Sequence, residues 1–100
     1  MISLKESDFQ RTVVAYAHLR GWRVAHFRPA MNRRGAWATQ MTGDAGFPDL
    51  VLAREGVVIF AELKREKAKP TEAQMEWIEA LGQTYVWYPS MWDSIEELLR

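Results

Sequence analysis

Residues 46–64 read Gly-Phe-Pro-Asp-Leu-Val-Leu-Ala-Arg-Glu-Gly-Val-Val-Ile-Phe-Ala-Glu-Leu-Lys, and the fold turns on how this stretch pairs with itself. Residues 50–53 and 57–63 are short apolar runs rich in β-branched side chains, divided by the turn signal Arg54-Glu55-Gly56, so a hairpin of two strands fits better than a helix. Both runs are apolar on both faces, the pattern of central strands covered by helices on either side. Three charges interrupt them: Asp49, Glu62 and Lys64. An ionisable group in such a strand is costly to bury unless it is paired or holds a metal. The two-residue period of a strand puts Glu62 and Lys64 on one face. Asp49 joins them only if the loop has an even number of residues or a bulge shifts the pairing. A two-residue Glu55-Gly56 loop sets Asp49 directly opposite Glu62, with Cβ atoms roughly 5 Å apart.

Two carboxylates that close repel each other unless a hard cation lies between them. Mg²⁺ or Mn²⁺ takes carboxylate oxygens, waters and substrate phosphate in this way. The lysine is then free to orient the attacking water or to neutralise charge developing on the phosphate. The alternative use of the same residues is a strand-end salt bridge between Glu62 and Lys64, with Asp49 capping a turn after Pro48.

Pro48-Asp49 and Glu62-Leu63-Lys64 together resemble the signature of the PD-(D/E)XK nuclease superfamily. Within it, Gly46-Phe-Pro-Asp-Leu-Val-Leu and Ala61-Glu-Leu-Lys-Arg resemble the VRR-NUC family, whose free-standing members are similar to Holliday junction resolvases. The resemblance implies a Mg²⁺- or Mn²⁺-dependent DNA endonuclease on an αβββαβ core. Asp49, Glu62 and the Leu63 carbonyl would hold the metal, Lys64 would serve catalysis, and an acidic residue early in the first helix would be an outer ligand.

One hundred residues, 48% of them hydrophobic, allow a single domain spanning 1–100 with one core. The absence of cysteine excludes a disulfide framework and a thiolate zinc site. No secretory hydrophobic region opens the chain, and no apolar run approaches the ~18 residues that span a bilayer, which implies a cytoplasmic protein with no membrane partner.

Net charge is zero, yet the charges are segregated. No carboxylate lies between Asp8 and Asp44, where Arg11, Arg20, Arg23, Arg28, Arg33, Arg34, His18 and His26 stand. After Pro70, six carboxylates face only Arg100. Such asymmetry can build one basic face on a neutral protein, as a phosphate backbone requires. Lys64, Arg65, Lys67 and Lys69 bring positive charge to the proposed metal site.

Residues 4–20 read as the first helix, with Phe9, Val13 and Ala17 on one stripe and Gly21 as the stop. Glu6 begins that inward stripe. It either closes a Ser3-to-Glu6 capping box or reaches the metal site as the outer carboxylate. Residues 22–27 alternate as the first strand and end at His26, a structural histidine or a phosphate contact. Residues 28–46 keep no period and read as a long loop. In it Arg28, Arg33, Arg34 and Trp37 suit backbone neutralisation and stacking, whereas Trp37 and Met41 could equally plug the core. Residues 70–82 carry a helix start, a stripe of Gln74, Trp77, Ile78 and Leu81, and a Gly stop. Gln74 completes a capping box with Thr71 or, as the resemblance implies, reaches the metal-site water or a phosphate. A fourth strand over 84–88 and a final helix over 92–99 complete an αβββαβα order, an α/β sandwich with a mixed sheet.

The expected function is metal-dependent hydrolysis of DNA phosphodiester bonds by a homodimer, with preference for four-way junctions or other branched DNA. The competing expectations are a nuclease fold that grips nucleic acid without cutting it, a general DNA nuclease without junction preference, and an interaction protein built on its five tryptophans.

Overall fold

A computed structural model describes residues 5–27, 29–31, 37–39 and 43–100. Its elements, in chain order, are α1 (Glu6–Leu19), β1 (Arg23–His26), β2 (Pro29–Met31), β3 (Trp37–Thr39), β4 (Leu50–Arg54), β5 (Val57–Leu63), α2 (Glu72–Leu81), β6 (Thr84–Trp87), a 3-10 turn (Pro89–Met91) and α3 (Trp92–Leu99). The class is α/β. A four-stranded mixed sheet has the order β1-β4-β5-β6, antiparallel except for the parallel β5–β6 pair.

The β4–β5 hairpin closes on two residues. Glu55 (φ 52°) and Gly56 (φ 83°) both lie at positive φ, which the type I′ turn matched to strand twist demands of its two central positions. Register follows: Arg54 pairs with Val57, Leu52 with Ile59 and Leu50 with Ala61. Continued by one residue, the ladder sets Asp49 opposite Glu62, the even-loop arrangement.

One face of this sheet carries the core. Leu50, Leu52, Ile59, Ala61, Leu63 and Trp87 are buried against Phe9, Val13 and Ala17 of α1, Ile95 and Leu99 of α3, and Trp22. Helical spacing brings each α1 stripe residue back to the sheet every three to four positions. Trp22 Nε1 donates to the Leu99 carbonyl at 2.8 Å. The Arg54 guanidinium lies 4.3 Å over the Trp22 ring and donates to the main-chain oxygens of Arg20, Leu99 and Arg100. The open carbonyls at the ends of α1 and α3 therefore find donors.

The other face is covered differently. α2, in the crossover from β5 to β6, has no fully buried residue. It meets the sheet through half-buried Trp77, which packs edge-on to Phe47 with centroids 4.9 Å apart, and Phe47 in turn contacts Phe60 and Phe27.

The structure departs from the sequence reading in three places. The first helix starts at Glu6, not residue 4, and its N-cap is Lys5 with no side-chain bond, so the Ser3 capping box does not open it; Ser3 lies outside the described residues. The stretch read as a loop over 28–46 contains a second, two-stranded sheet, β2 antiparallel to β3. Strands of three residues are too short for a period of two to declare itself. Glu6, placed on the inward stripe, is exposed, because it lies on the first helical turn, beyond the edge of the packed core. Among the described residues no helix is long and apolar enough to cross a membrane.

Candidate active site

β5 delivers Glu62 into the interior: the residue is fully buried, and Lys64 two positions on is 8% exposed. Buried charges of opposite sign two residues apart on one face would be expected to pair. They do not: the ion pairs among the described residues are Arg11–Asp8 and Arg100–Glu97. The strand-end salt bridge is therefore not the use to which Glu62 and Lys64 are put.

Glu62 is held instead from α2. Gln74 Nε2 donates to Glu62 Oε1 at 3.1 Å. The same glutamine closes the capping box, its Oε1 accepting from Thr71 N–H at 2.8 Å while Thr71 Oγ1 accepts from Gln74 N–H. The capping box expected of Gln74 is present, and its amide nitrogen, expected at a metal-site water or a phosphate, donates instead to the Glu62 carboxylate. The second oxygen, Glu62 Oε2, is buried and has no hydrogen-bond partner among the described residues. A buried acceptor left open carries a desolvation cost of about 1–3 kcal/mol, more for a charged group.

Asp49 is half-buried behind the buried Pro48. Its Oδ2 accepts from the Leu63 N–H at 2.9 Å, so the side chain caps the hairpin ladder one step past its last backbone pair and is fixed beside Glu62. The electrostatics record that proximity. Burial pushes the Glu62 carboxyl up to about 9; the neighbouring Asp49 adds to the rise, Lys64 pulls it down, and Glu6 pushes it up. Glu6 is raised by desolvation first and then by Asp49, against the lowering influence of Lys64 and Arg65. Although exposed, Glu6 thus belongs to the same electrostatic group as Asp49, Glu62, Lys64 and Arg65.

The donor set suits a hard divalent cation: an oxygen with no partner, a second carboxylate beside it, and a shared field that strongly disfavours ionising both acids together. The two carboxylates form a pair. Among the described residues, no three His, Cys, Asp or Glu side chains close into a metal-holding group.

The remaining candidates fall into separate places. Arg65, Lys67 and Lys69 are exposed on the segment leaving β5. That segment is tied down: Tyr88 Oη donates to the Ala68 carbonyl at 2.8 Å, and Glu66 accepts from Ser90 N–H. His26 is exposed and pairs with Leu50, so register puts it on the sheet face opposite Asp49 and Glu62. Arg28, Arg33 and Arg34, with Met41, lie outside the described residues.

Sequence reasoning missed Gly46. At φ +96° a Cβ there would come within 2.5 Å of the Ala73 backbone carbon and 2.8 Å of the Gln74 nitrogen. Only glycine lets the segment before Asp49 lie against the first turn of α2, and Trp77 Nε1 fastens it by donating to the Asp44 carbonyl at 3.1 Å. The glycine thereby sets the separation between the segment that carries Asp49 and the helix that carries Gln74. The signal was present as Gly-x-Pro-Asp, a glycine two residues before a fixed proline. Comparisons with protein-family models, with curated proteins and with solved structures return no match.

Proposed function

We propose that this chain is a Mg²⁺- or Mn²⁺-dependent DNA endonuclease of the PD-(D/E)XK kind, resembling VRR-NUC proteins, acting on four-way junctions or other branched DNA as a homodimer. One observation carries the reading: among the described residues Glu62 Oε2, fully buried beside Asp49, has no hydrogen-bond partner, and Lys64, the residue after β5, makes no ion pair. A structural role would have closed both.

A cation held by Asp49, Glu62 and the Leu63 carbonyl would supply a Lewis acid that lowers the pKa of a bound water and offsets charge on the phosphate. The protein's own contribution is positional. Gln74 holds one oxygen of Glu62, which leaves the other directed to the site, and the Leu63 amide holds Asp49. Lys64 brings a cationic nitrogen with no carboxylate to occupy it among the described residues, free to orient the attacking water or to meet the negative charge that grows on the phosphate oxygens. Hydrolysis forms a bond from water oxygen to phosphorus, breaks the ester P–O bond and leaves the departing sugar oxygen to take a proton.

The test is incubation of the protein with labelled linear, flapped, bubbled and four-way DNA plus Mg²⁺ or Mn²⁺. Asp49→Asn should lower cleavage by on the order of a hundredfold or more while the circular dichroism spectrum is retained. Near-wild-type cutting by that variant overturns the assignment. The homodimer and the junction preference come from the resemblance; a mixture of wild-type and Asp49→Asn subunits should nick one strand of a junction and fail at paired incision.

A further inference from the structure

At the far end of the sheet from Asp49 and Glu62, a groove of about 470 Å³ is lined by Arg20, Gly21, Arg23, Ala53, Arg54, Glu55 and Gly56. Arg54 forms a fixed wall. Its stacking on Trp22 and its bonds to the main-chain oxygens of Arg20, Leu99 and Arg100 hold the guanidinium in place, and they also cap the helix-end carbonyls that would otherwise repel an anion. Arg20 and Arg23 are exposed, and neither has a carboxylate partner among the described residues; Glu55 is the one acid in the lining. Two glycines at the rim keep the approach open, and a Cβ at Gly56 would meet nothing within 4 Å. Positive charge held in a concave surface with no internal partner suits a polyanion.

Register joins this groove to the candidate active site. Arg23 pairs with Ala53, and Ala53 lies four residues from Asp49 on β4, so Arg23, Ala53 and Asp49 share one sheet face, about 13 Å separating the ends at roughly 3.3 Å per residue. Between them Ala25, paired with Val51, is exposed, and no large side chain of β1 stands in the way. The span is of the order of the spacing between phosphates a few nucleotides apart on one strand.

We infer that the Arg20–Arg23 groove is a second phosphate-binding site, which grips the DNA backbone a few nucleotides from the phosphate at Asp49 and Glu62. This rests on the nuclease reading and adds to it the direction in which the substrate lies: along β4 and β1, toward the β4–β5 turn. Arg20 and Arg23 meet the backbone, whereas Arg54 keeps the groove in shape.

The experiment measures DNA binding by fluorescence anisotropy over a range of salt concentrations, in the uncleaving Asp49→Asn protein, with and without Arg20→Ala plus Arg23→Ala. Two lost phosphate contacts should lower the magnitude of the log–log salt slope by about 1.8, at about 0.9 per contact, and weaken binding of a long duplex roughly tenfold or more. A duplex too short to reach the groove should bind both proteins more nearly alike. Both side chains are exposed, and a matching thermal midpoint shows that the variant is folded. An unchanged slope in a protein that does bind DNA overturns this inference alone. If the Asp49→Asn protein binds no DNA at any salt concentration, the nuclease reading fails and this inference fails with it.

Discussion

The two faces of the sheet are built to different ends. On the α1–α3 face, Phe9, Val13, Ala17, Leu50, Leu52, Leu63, Ile95 and Leu99 are at most 1% exposed and entirely apolar. On the α2 face no helix residue is fully buried, and the deepest group is Glu62, a carboxylate with an unpartnered oxygen. The first face supplies stability and has no unsatisfied polar atom from its own strands. The second gives up stability by burying charge, and holds a site that a well-packed hydrocarbon layer could not. Strained or unsatisfied groups persist in a fold only where the surroundings over-determine them, and here the type I′ turn, the Asp49 cap and the Gln74 bond supply that constraint.

The sharpest way to break the comparison is a pair of substitutions with opposite signs. Phe9→Ala, on the packed face, should lower unfolding free energy by about 3–5 kcal/mol and leave the arrangement of Asp49 and Glu62 intact in whatever fraction stays folded. Glu62→Gln should abolish cleavage yet stabilise the metal-free protein above neutral pH. The direction follows from the titration. An unfolded Glu62 ionises near its ordinary value of 4.5, whereas the folded carboxyl holds its proton to about 9. Between those values the folded state binds the extra proton, so metal-free stability falls as pH rises from 4.5 toward 9 and levels off above. The amide removes that dependence. Thermal midpoints in chelator at pH 5, 7 and 9 check it: a falling series for the wild type and a flatter one for Glu62→Gln is the expected outcome, and parallel series would mean that the two faces are not distinguished by buried charge.

Next in size is Gly46→Ala. The residue sits at positive φ with its missing Cβ inside the backbone of α2, so the added methyl group should cost on the order of 2 kcal/mol or more through strain and displacement. Displacement should also carry α2 and Gln74 away from Glu62. A fall in kcat larger than that produced by an equally destabilising change on the α1–α3 face, at a temperature where both variants are folded, would tie the glycine to the site. Equal activity loss at equal stability loss would make it a packing residue alone.

Most of the sheet was legible because its determinants are local. The Arg54-Glu55-Gly56 signal between two β-branched runs locates the hairpin from neighbouring residues and states the condition for Asp49 to lie across from Glu62, while the two-residue loop that meets it is seen in the Arg54–Val57 pair. The final helix at Trp92–Leu99 was legible for the same reason, through the buried pair Ile95 and Leu99, although the adjoining Leu98 is exposed and not inward as its spacing suggests. What escaped depended on contacts between distant segments. Gly46 matters because Ala73 lies against it, 27 positions on. The β2–β3 pair is too short to carry a period. Glu6 was placed inward by counting from Phe9, but helical spacing does not tell where the sheet beneath a helix stops. The resemblance named the acids and the lysine, while the absence of a Glu62–Lys64 ion pair, which separates a poised site from a buried salt bridge, could be known only from geometry.

The smallest effect concerns Gln74, where the two faces of the argument meet in one side chain. Its oxygen closes the helix start and its nitrogen holds Glu62, so removal of the whole side chain confounds folding with function. Gln74→Glu separates them. Glutamate serves a capping box as well as glutamine does, and its charge suits a helix N-terminus, so the helix should keep its stability within about 0.5 kcal/mol apart from whatever Glu62 adds. At the site, however, the substitution exchanges a donor for a third carboxylate, with an oxygen about 3 Å from Glu62. Without metal, the Glu62 carboxyl should hold its proton to higher pH, and the fall in stability should extend to higher pH. With metal, the added charge should draw Mn²⁺ more tightly while the fixed orientation of Glu62 is lost, so that calorimetric affinity rises as kcat falls by about tenfold. A variant with unchanged metal affinity and unchanged kcat would mean that the 3.1 Å contact is incidental to a capping residue. Gln74 would then belong with the scaffold, and the α2 face would owe its function to Asp49, Glu62 and Lys64 alone.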